Sequence, residues 1–155
     1  KAERSSFAKM SAKIHTISAL HKHLYLDVHN ERVEMDVYFS EIISLYTEFS
    51  DTFLVEKTFV SVGVKSERII YFGLIFNEML ANTIEHNHQP KRIVHISVTA
   101  TGNHFLFDYH DNAQWVIGEG KGIGNVLIAQ LVKRVGGFNY ICDPSNGLYQ
   151  FEFHA

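Results

Sequence analysis

Two side chains at positions 78 and 82 form a pair whose types and spacing could do chemistry. Glu78 and Asn82 lie four residues apart within SERIIYFGLIFNEMLANTIEH (66–86). If this stretch is helical, both side chains project from the same side, about 5–6 Å apart at Cβ. A carboxylate and a carboxamide placed in this way could hold a hydrated cation and activate a water molecule. The alternative is a solvated polar stripe on an amphipathic helix.

A run of glycines lies directly before the last predicted helix. Gly118, Gly120, Gly122 and Gly124 recur at every second position of GEGKGIG, and the apolar segment NVLIAQLVKRV (125–135) follows. Glycines let backbone N–H groups approach an anion closely, and a helix N-terminus adds a favourable dipole. The segment could bind a phosphate, or it could be a flexible loop. It is neither a Walker loop, which ends in Gly-Lys-Ser/Thr, nor a Rossmann turn, which follows a first strand.

A carboxylate also ends one of the predicted strands. Asp111-Asn112 follows the alternating segment HFLFDYH (104–110). A carboxylate in this place could accept a hydrogen bond from an exocyclic amine such as that of adenine. The other interpretation is a turn-forming Asp-Asn pair.

The hydrophobic pattern predicts the elements that must position these residues. Helices are predicted at 3–26, 37–49, 66–86 and 125–135, and strands at 55–62, 92–100, 104–110, 138–142 and 148–154. Ser66 and Asp36 are candidate N-caps. The apolar arc of the long helix comprises Phe72, Phe76, Met79, Leu80, Thr83 and Ile84. The order of elements predicts an α+β fold, a two-layer α/β sandwich with a mixed sheet, helices on one face and an N-terminal helix in front.

Composition excludes several classes of function. The chain has 155 residues, of which 46% are apolar, and a net charge of −3, so we expect neither nucleic-acid binding nor contact with a membrane. Cys142 is the only cysteine, which favours the reducing cytoplasm. The ten histidines lack a second cysteine or an HExxH pattern that would complete a zinc site. The first residue is Lys1 rather than Met, which suggests a piece of a longer protein.

Taken in order, the segments described above resemble the ATP-binding domain of bacterial sensor histidine kinases, in the superfamily that also includes gyrase and MutL. NEMLANTIEH (77–86) is similar to the N box of that family, HDNA (110–113) to its first glycine box and GKGIG (120–124) to its second. SNGLYQFEF (145–153) takes the place of the last box and final strand. HKHLYLDVHNERVEMDVYFSEI (21–42) resembles the end of a second dimerisation helix.

The resemblance covers nearly the whole chain and implies a Bergerat-type ATP-binding fold. It implies a trailing dimerisation-type helix at 1–27 and an ATP-binding kinase domain at 28–155. The implied function is transfer of the γ-phosphate of Mg·ATP to a histidine, from which a response-regulator receiver domain would accept the phosphoryl group. The implied setting is a cytoplasmic homodimer, free or as part of a membrane-anchored receptor.

Each matching residue inherits a role from the resemblance. Asn82 would ligate the Mg²⁺ ion that bridges the nucleotide phosphates, and Glu78 would be the catalytic acid of the N box. Asp111 would read the adenine amine, and His86 would lie near phosphate. The turn that hinges a lid over the phosphates would comprise Gly120, Gly122 and Gly124.

Four features depart from the pattern of the family. Ala113 stands where glycine is preferred, Leu148 replaces a threonine, and the lid segment between Ala113 and Gly118 is only Gln114–Ile117. No phospho-acceptor motif precedes residue 26, so we expect the acceptor histidine outside this chain. These departures leave two alternatives open. One is a serine kinase of the anti-sigma type, and the other is a degenerate scaffold or phosphotransfer domain that no longer binds ATP.

Overall fold

The computed structural model describes residues 32–47, 51–113, 123–143 and 146–155, together with the single residue 15. Of the predicted helix 3–26, only His15 belongs to these residues, and it is helical. The rest of that prediction lies outside them. In the part of the chain that the structure describes, none of the helices has both the length and the apolar composition needed to span a bilayer.

The described residues form an α+β fold. Its helices are α1 (Met35–Thr47), α2 (Ser66–His86) and α3 (Ile123–Arg134). Its strands are β1 (Arg32–Glu34), β2 (Phe53–Phe59), β3 (Gly63–Lys65), β4 (Arg92–Thr101), β5 (His104–Asp111), β6 (Phe138–Asp143) and β7 (Leu148–Phe153). The predicted fold class, a sandwich of helices on a mixed sheet, is confirmed.

The main sheet has five strands in the order β2-β4-β5-β7-β6. Strand β2 runs parallel to β4, and the chain crosses between them through β3 and α2, since parallel neighbours need a long connection. All other neighbours in this sheet are antiparallel, including the predicted hairpins β4–β5 and β6–β7. This arrangement places β5 and β7 at adjacent positions near the middle of the sheet.

The core lies against one face of this sheet. Alternate residues of the central strands are buried, and they comprise Val94, Ile96, Val98, Phe107, Tyr109, Tyr149, Phe151 and Phe153. The residues between them are mainly polar and at least partly exposed, as His95, Ser97 and Gln150 show. Helices α1 and α2 add aromatic rings to the buried side: Phe39 of α1 contacts Phe76 of α2, with ring centroids 4.8 Å apart. The helices therefore cover one face, as predicted.

Several local predictions were wrong. Strand β3 and its pairing with β1 were not predicted, because three-residue strands carry too little alternation to be recognised. Ser66 is the first residue of α2 rather than its N-cap, and Lys65 takes the cap position without a side-chain hydrogen bond. Asp36 lies inside the first turn of α1, where its carboxylate pairs with Lys57. Ile84 is 41% exposed, although the rest of the predicted apolar arc is buried.

Helices α1 and α2 approach closely at one glycine. A Cβ atom on Gly73 would lie 2.5 Å from the hydroxyl oxygen of Tyr38 and 2.9 Å from a ring carbon. Tyr38 is fully buried, and its hydroxyl has no hydrogen-bond partner among the described residues. Gly73 is therefore needed to make room for the tyrosine ring, and the hydroxyl itself adds no stabilising bond.

We expect Gly73→Ala to lower the free energy of unfolding by about 1–2 kcal/mol, because overpacking outweighs the better helix propensity of alanine. Tyr38→Phe should stay within about 1 kcal/mol of the unmodified chain, since it removes a buried hydroxyl without a partner. In the double variant the penalty of Gly73→Ala should shrink, because the closest contact is gone. Urea denaturation of the three variants measures this, and an equal penalty in both backgrounds would contradict the described contact.

Candidate functional site

The polar pair on α2 is buried. Glu78 is 6% exposed and Asn82 is 9% exposed, even though they lie outside the apolar arc that faces the sheet. A solvated stripe would be largely exposed, so that interpretation is wrong. Buried polar groups require partners, and a second polar surface must therefore cover this side of α2.

Asn82 belongs to a triangle of hydrogen bonds that joins α2, α3 and β7. Its Nδ2 donates to the hydroxyl of Tyr149 at 3.0 Å and to Oδ1 of Asn125 at 3.2 Å. The Tyr149 hydroxyl in turn donates to Asn125 Oδ1 at 3.0 Å. Both bonds of Asn82 use its amide nitrogen, so its carbonyl oxygen is turned away from these two partners. Oxygen is the ligand atom that Mg²⁺ prefers, so this orientation suits a metal ligand.

Asp111 ends β5 on the same buried side of the sheet. Its carboxylate is 6% exposed, and each oxygen accepts a hydrogen bond. Oδ2 accepts from Oγ1 of Thr83 at 2.7 Å, and Oδ1 accepts from the backbone N–H of Ala113 at 2.8 Å. Thr83 is the residue next to Asn82 on α2. Helix α2 therefore carries both the carboxamide of Asn82, which bonds to Asn125 and Tyr149, and the hydroxyl of Thr83, which donates to the carboxylate of Asp111.

The hydroxyl of Tyr109 on β5 also contacts Oγ1 of Thr83. It donates to the carbonyl of Met79 at 3.1 Å. Burial raises the pKa of Tyr109 well above its ordinary value; the bond to Thr83 acts in the opposite direction, and the nearby Asp111 raises the pKa further. Tyr109 therefore remains protonated and keeps its proton as a donor at neutral pH.

Gly147 makes room for the carboxylate of Asp111. A Cβ atom at this glycine would lie 2.2 Å from Asp111 Oδ1, and the backbone there has a φ of +58°. The two residues also share a backbone bond, since Asp111 N–H donates to the carbonyl of Gly147 at 3.2 Å. Both the backbone angle and the available space at this position thus require glycine.

The expected effect of Ala113 can be judged from its backbone. Among the described non-glycine residues only Asn139 has a positive φ, so Ala113 does not need the conformation that glycine alone adopts easily. Its N–H is one of the two donors to Asp111. The replacement of glycine by alanine therefore causes no backbone strain at this position.

Glu78 lies one helical turn before Asn82, close to Tyr46 of α1. The hydroxyl of Tyr46 donates to Oδ1 of the neighbouring Asn77. Burial, and next the charge of Glu78, raise the pKa of Tyr46 to about 12. A neutral tyrosine and a buried amide thus border the carboxylate on the side of α1.

The remaining predicted site residues take no part in the hydrogen bonds given above for Asn82 and Asp111, or they lie outside the described residues. His86 is partly buried at the end of α2, and its Nε2 lies 3.9 Å from Oε2 of Glu85. Gly124 is the second residue of α3 rather than the last residue of a turn, so the predicted start of that helix at 125 was wrong. Gly120 and Gly122 lie outside the described residues, and so does the lid segment Gln114–Ile117.

Four residues of these clusters were not predicted as site residues: Thr83, Asn125, Gly147 and Tyr149. Thr83 was assigned to the apolar arc, and Tyr149 has the alternation of an ordinary strand residue. Asn125 directly follows the recognised segment GKGIG, and Gly147 lies within SNGLYQFEF, but the partners of both residues are distant in sequence.

No metal-binding cluster accompanies these residues in the described ranges. No group of three or more His, Cys, Asp or Glu side chains there could hold a metal ion.

Comparison with known proteins connects this fold to histidine kinases. No family model and no curated protein matches the sequence. The histidine kinase domain of a blue-light activated kinase from Erythrobacter litoralis is similar, with a TM-score of 0.77 and 14% identity over 94% of this chain and 74% of that chain. A longer form of that kinase matches with a TM-score of 0.76 and 16% identity over 96% of this chain, which spans only 49% of the longer form.

A third similar structure is the ATP-binding domain of PrrB from Mycobacterium tuberculosis. Its TM-score is 0.58, with 15% identity over 77% of this chain and 92% of that chain. At these identities the likeness concerns the fold, which is the α/β sandwich of histidine kinase ATP-binding domains.

We expect Gly147→Ala to destabilise the fold more than Gly102→Ala. Both glycines have a φ near +60°, so each alanine should cost about 1–2 kcal/mol of strain. Only at position 147 would the new methyl group also collide with Asp111, whereas nothing lies within 4 Å at position 102. Chemical denaturation of both variants isolates the collision, and equal losses would contradict the close packing of Gly147 on Asp111.

Proposed function

We propose that this chain is the ATP-binding catalytic part of a sensor histidine kinase. The observation that carries the proposal is the link through Thr83. Asn82 and Thr83 are adjacent on α2. The amide of Asn82 is suited to a metal ion, and the hydroxyl of Thr83 donates to the carboxylate of Asp111, which is suited to an adenine amine. The similarity of the fold to histidine kinase ATP-binding domains supports the same conclusion. The division into a dimerisation-type helix at 1–27 and a kinase domain at 28–155 is part of this proposal.

The adenine end of the nucleotide would lie against Asp111. This buried carboxylate would accept a hydrogen bond from the exocyclic amine, since each carboxylate oxygen can accept more than one hydrogen bond. A hydrogen bond to an ionised acceptor is stronger than one between neutral groups, so it would contribute both affinity and selectivity. Guanine carries a carbonyl oxygen at the corresponding position and would meet the carboxylate with repulsion.

The phosphate end would lie toward Asn82 and the start of α3. The carboxamide oxygen of Asn82 faces away from its Asn125 and Tyr149 partners and would ligate Mg²⁺, which neutralises phosphate charge when bound. The backbone N–H of Gly124 in the first turn of α3 would bind a phosphate oxygen, and the same role is proposed for Gly120 and Gly122, which lie outside the described residues. His86, one turn beyond Asn82, would add a polar contact near the phosphates.

Glu78 would act at the transferring phosphoryl group. In the proposed reaction an imidazole nitrogen of the acceptor histidine forms the N–P bond, and the bond from the γ-phosphorus to the β,γ-bridging oxygen of ATP breaks to release ADP. The Glu78 carboxylate would accept a hydrogen bond from the other ring N–H and so orient the nucleophile. A receiver-domain aspartate of a response regulator would then take the phosphoryl group, and a homodimer would supply the acceptor histidine.

Asp111→Ala should weaken Mg·ATP binding at least about tenfold, because an amine–carboxylate hydrogen bond is lost. Asp108→Ala is the matched control, since Asp108 lies on the same strand with its side chain on the other face of the sheet, bonded to Gln150. Displacement of a fluorescent nucleotide measures both affinities. If Asp111→Ala does not fold, Asp111→Asn takes its place, and unchanged affinity in a folded variant would exclude Asp111 as the adenine contact.

Asn82→Ala should remove the gain in ATP affinity that Mg²⁺ provides. The loss of its bonds to Asn125 and Tyr149 should cost about 1–3 kcal/mol of stability, so the fold should persist. Binding is titrated with Mg²⁺ and with EDTA for the variant and the unmodified chain. A Mg²⁺ effect of the same size in both proteins would show that Asn82 is no metal ligand.

A further inference from the structure

The hydroxyl of Thr83 joins helix α2 to the carboxylate of Asp111 at the end of β5. Thr83 is fully buried on α2, and its Oγ1 lies 2.7 Å from Asp111 Oδ2 at the end of β5. We propose that Thr83 is a positioning residue for adenine selectivity: its hydroxyl holds the Asp111 carboxylate in the orientation that accepts the exocyclic amine. This inference rests on the proposed function of Asp111.

The hydroxyl of Thr83 donates its proton to the hydrogen bond with Asp111. A hydroxyl has one proton, and an ionised carboxylate only accepts, so the proton of Thr83 lies on the bond to Asp111 Oδ2. Tyr109 is protonated and contacts the same Thr83 oxygen; because the Thr83 proton lies on the bond to Asp111, Tyr109 is the donor of this contact and shares its proton with the carbonyl of Met79. With its one proton used in this way, Thr83 has no donor left for a ligand. Its influence on a bound nucleotide must therefore pass through Asp111.

Two donors on different oxygens fix the plane of the Asp111 carboxylate. The N–H of Ala113 donates to Oδ1, the hydroxyl of Thr83 donates to Oδ2, and the absence of a Cβ at Gly147 leaves room for the carboxylate. If the Thr83 hydroxyl is removed, Oδ2 loses this donor, and the restraint on rotation of the carboxylate about its Cβ–Cγ bond weakens. Orientation matters because the hydrogen bond to an amine weakens steeply as its angle departs from linearity.

The test combines variants at position 83 with two nucleotides that differ only in the amine. Thr83→Val removes the hydroxyl and keeps the branched shape, and Thr83→Ser keeps the hydroxyl. Mg·ATP carries the exocyclic amine, and the Mg complex of purine riboside triphosphate lacks it. Dissociation constants of both ligands are measured by calorimetry for the unmodified chain and each variant.

We expect Thr83→Val to weaken Mg·ATP about tenfold, as for loss of a hydrogen bond to a charged group, and to change purine riboside triphosphate less than about threefold. Thr83→Ser should bind both ligands within about threefold of the unmodified chain. Thr83→Ala replaces the valine variant if that variant does not fold.

Three outcomes would overturn the proposal. Equal weakening of both nucleotides would show that Thr83 only maintains the shape of the pocket. Unchanged ATP affinity in Thr83→Val would show that Asp111 is held without Thr83. Equal binding of both nucleotides by the unmodified chain would show that Asp111 makes no contact with the amine. If the unmodified chain binds neither nucleotide, the proposed function fails as well.

Discussion

The buried carboxylate of Asp111 imposes the constraint on which the candidate site depends. A charge at 6% exposure is costly unless donors satisfy it, and no single element of this fold can supply all of them. One donor comes from the backbone just after β5, and another comes from Thr83 on α2. The position of α2 on the sheet and the absence of a side chain at Gly147 are therefore both conditions for keeping this charge inside.

The same helix carries the second half of the site. Because Thr83 and Asn82 are neighbours, the helix that satisfies Asp111 also turns the Asn82 amide toward Asn125 and Tyr149. This coupling means that a shift of α2 would disturb both clusters together. The packing of α2 against α1, with Gly73 against Tyr38, is thus relevant to function as well as to stability.

The sequence was most informative where a signal is local. The bounds of α2, residues 66–86, and the hairpin of β4 and β5 follow from periodicity and from turn residues. Asp111 and Asn82 could be singled out because they belong to recognisable segments. Thr83 could not, because a buried β-branched residue suits an apolar arc equally well, and its partner lies 28 residues away in the chain. Only the folded arrangement of α2 on β5 brings the two together.

The buried surface of α2 also differs from the predicted arc, since Ile84 is exposed while Glu78 and Asn82 are buried. The predicted arc was drawn from an ideal helical wheel, whereas α2 has polar contacts on its other side that widen its buried surface toward Glu78 and Asn82. When a helix is covered on two sides, polar residues on its second side are buried. The periodicity of the sequence alone cannot distinguish such buried polar residues from polar residues exposed to solvent.

The backbone at Ala113 bears on the choice between an active domain and a degenerate scaffold. Its φ is not positive and its N–H is a donor to Asp111, so a need for glycine in the backbone gives no argument for a degenerate scaffold. Calorimetric titration of the unmodified chain with Mg·ATP and with Mg·GTP tests the central claim most directly. The account predicts saturable binding of one Mg·ATP per chain and much weaker binding of Mg·GTP. Absence of heat for Mg·ATP up to millimolar concentration, or equal affinity for both nucleotides, would contradict it.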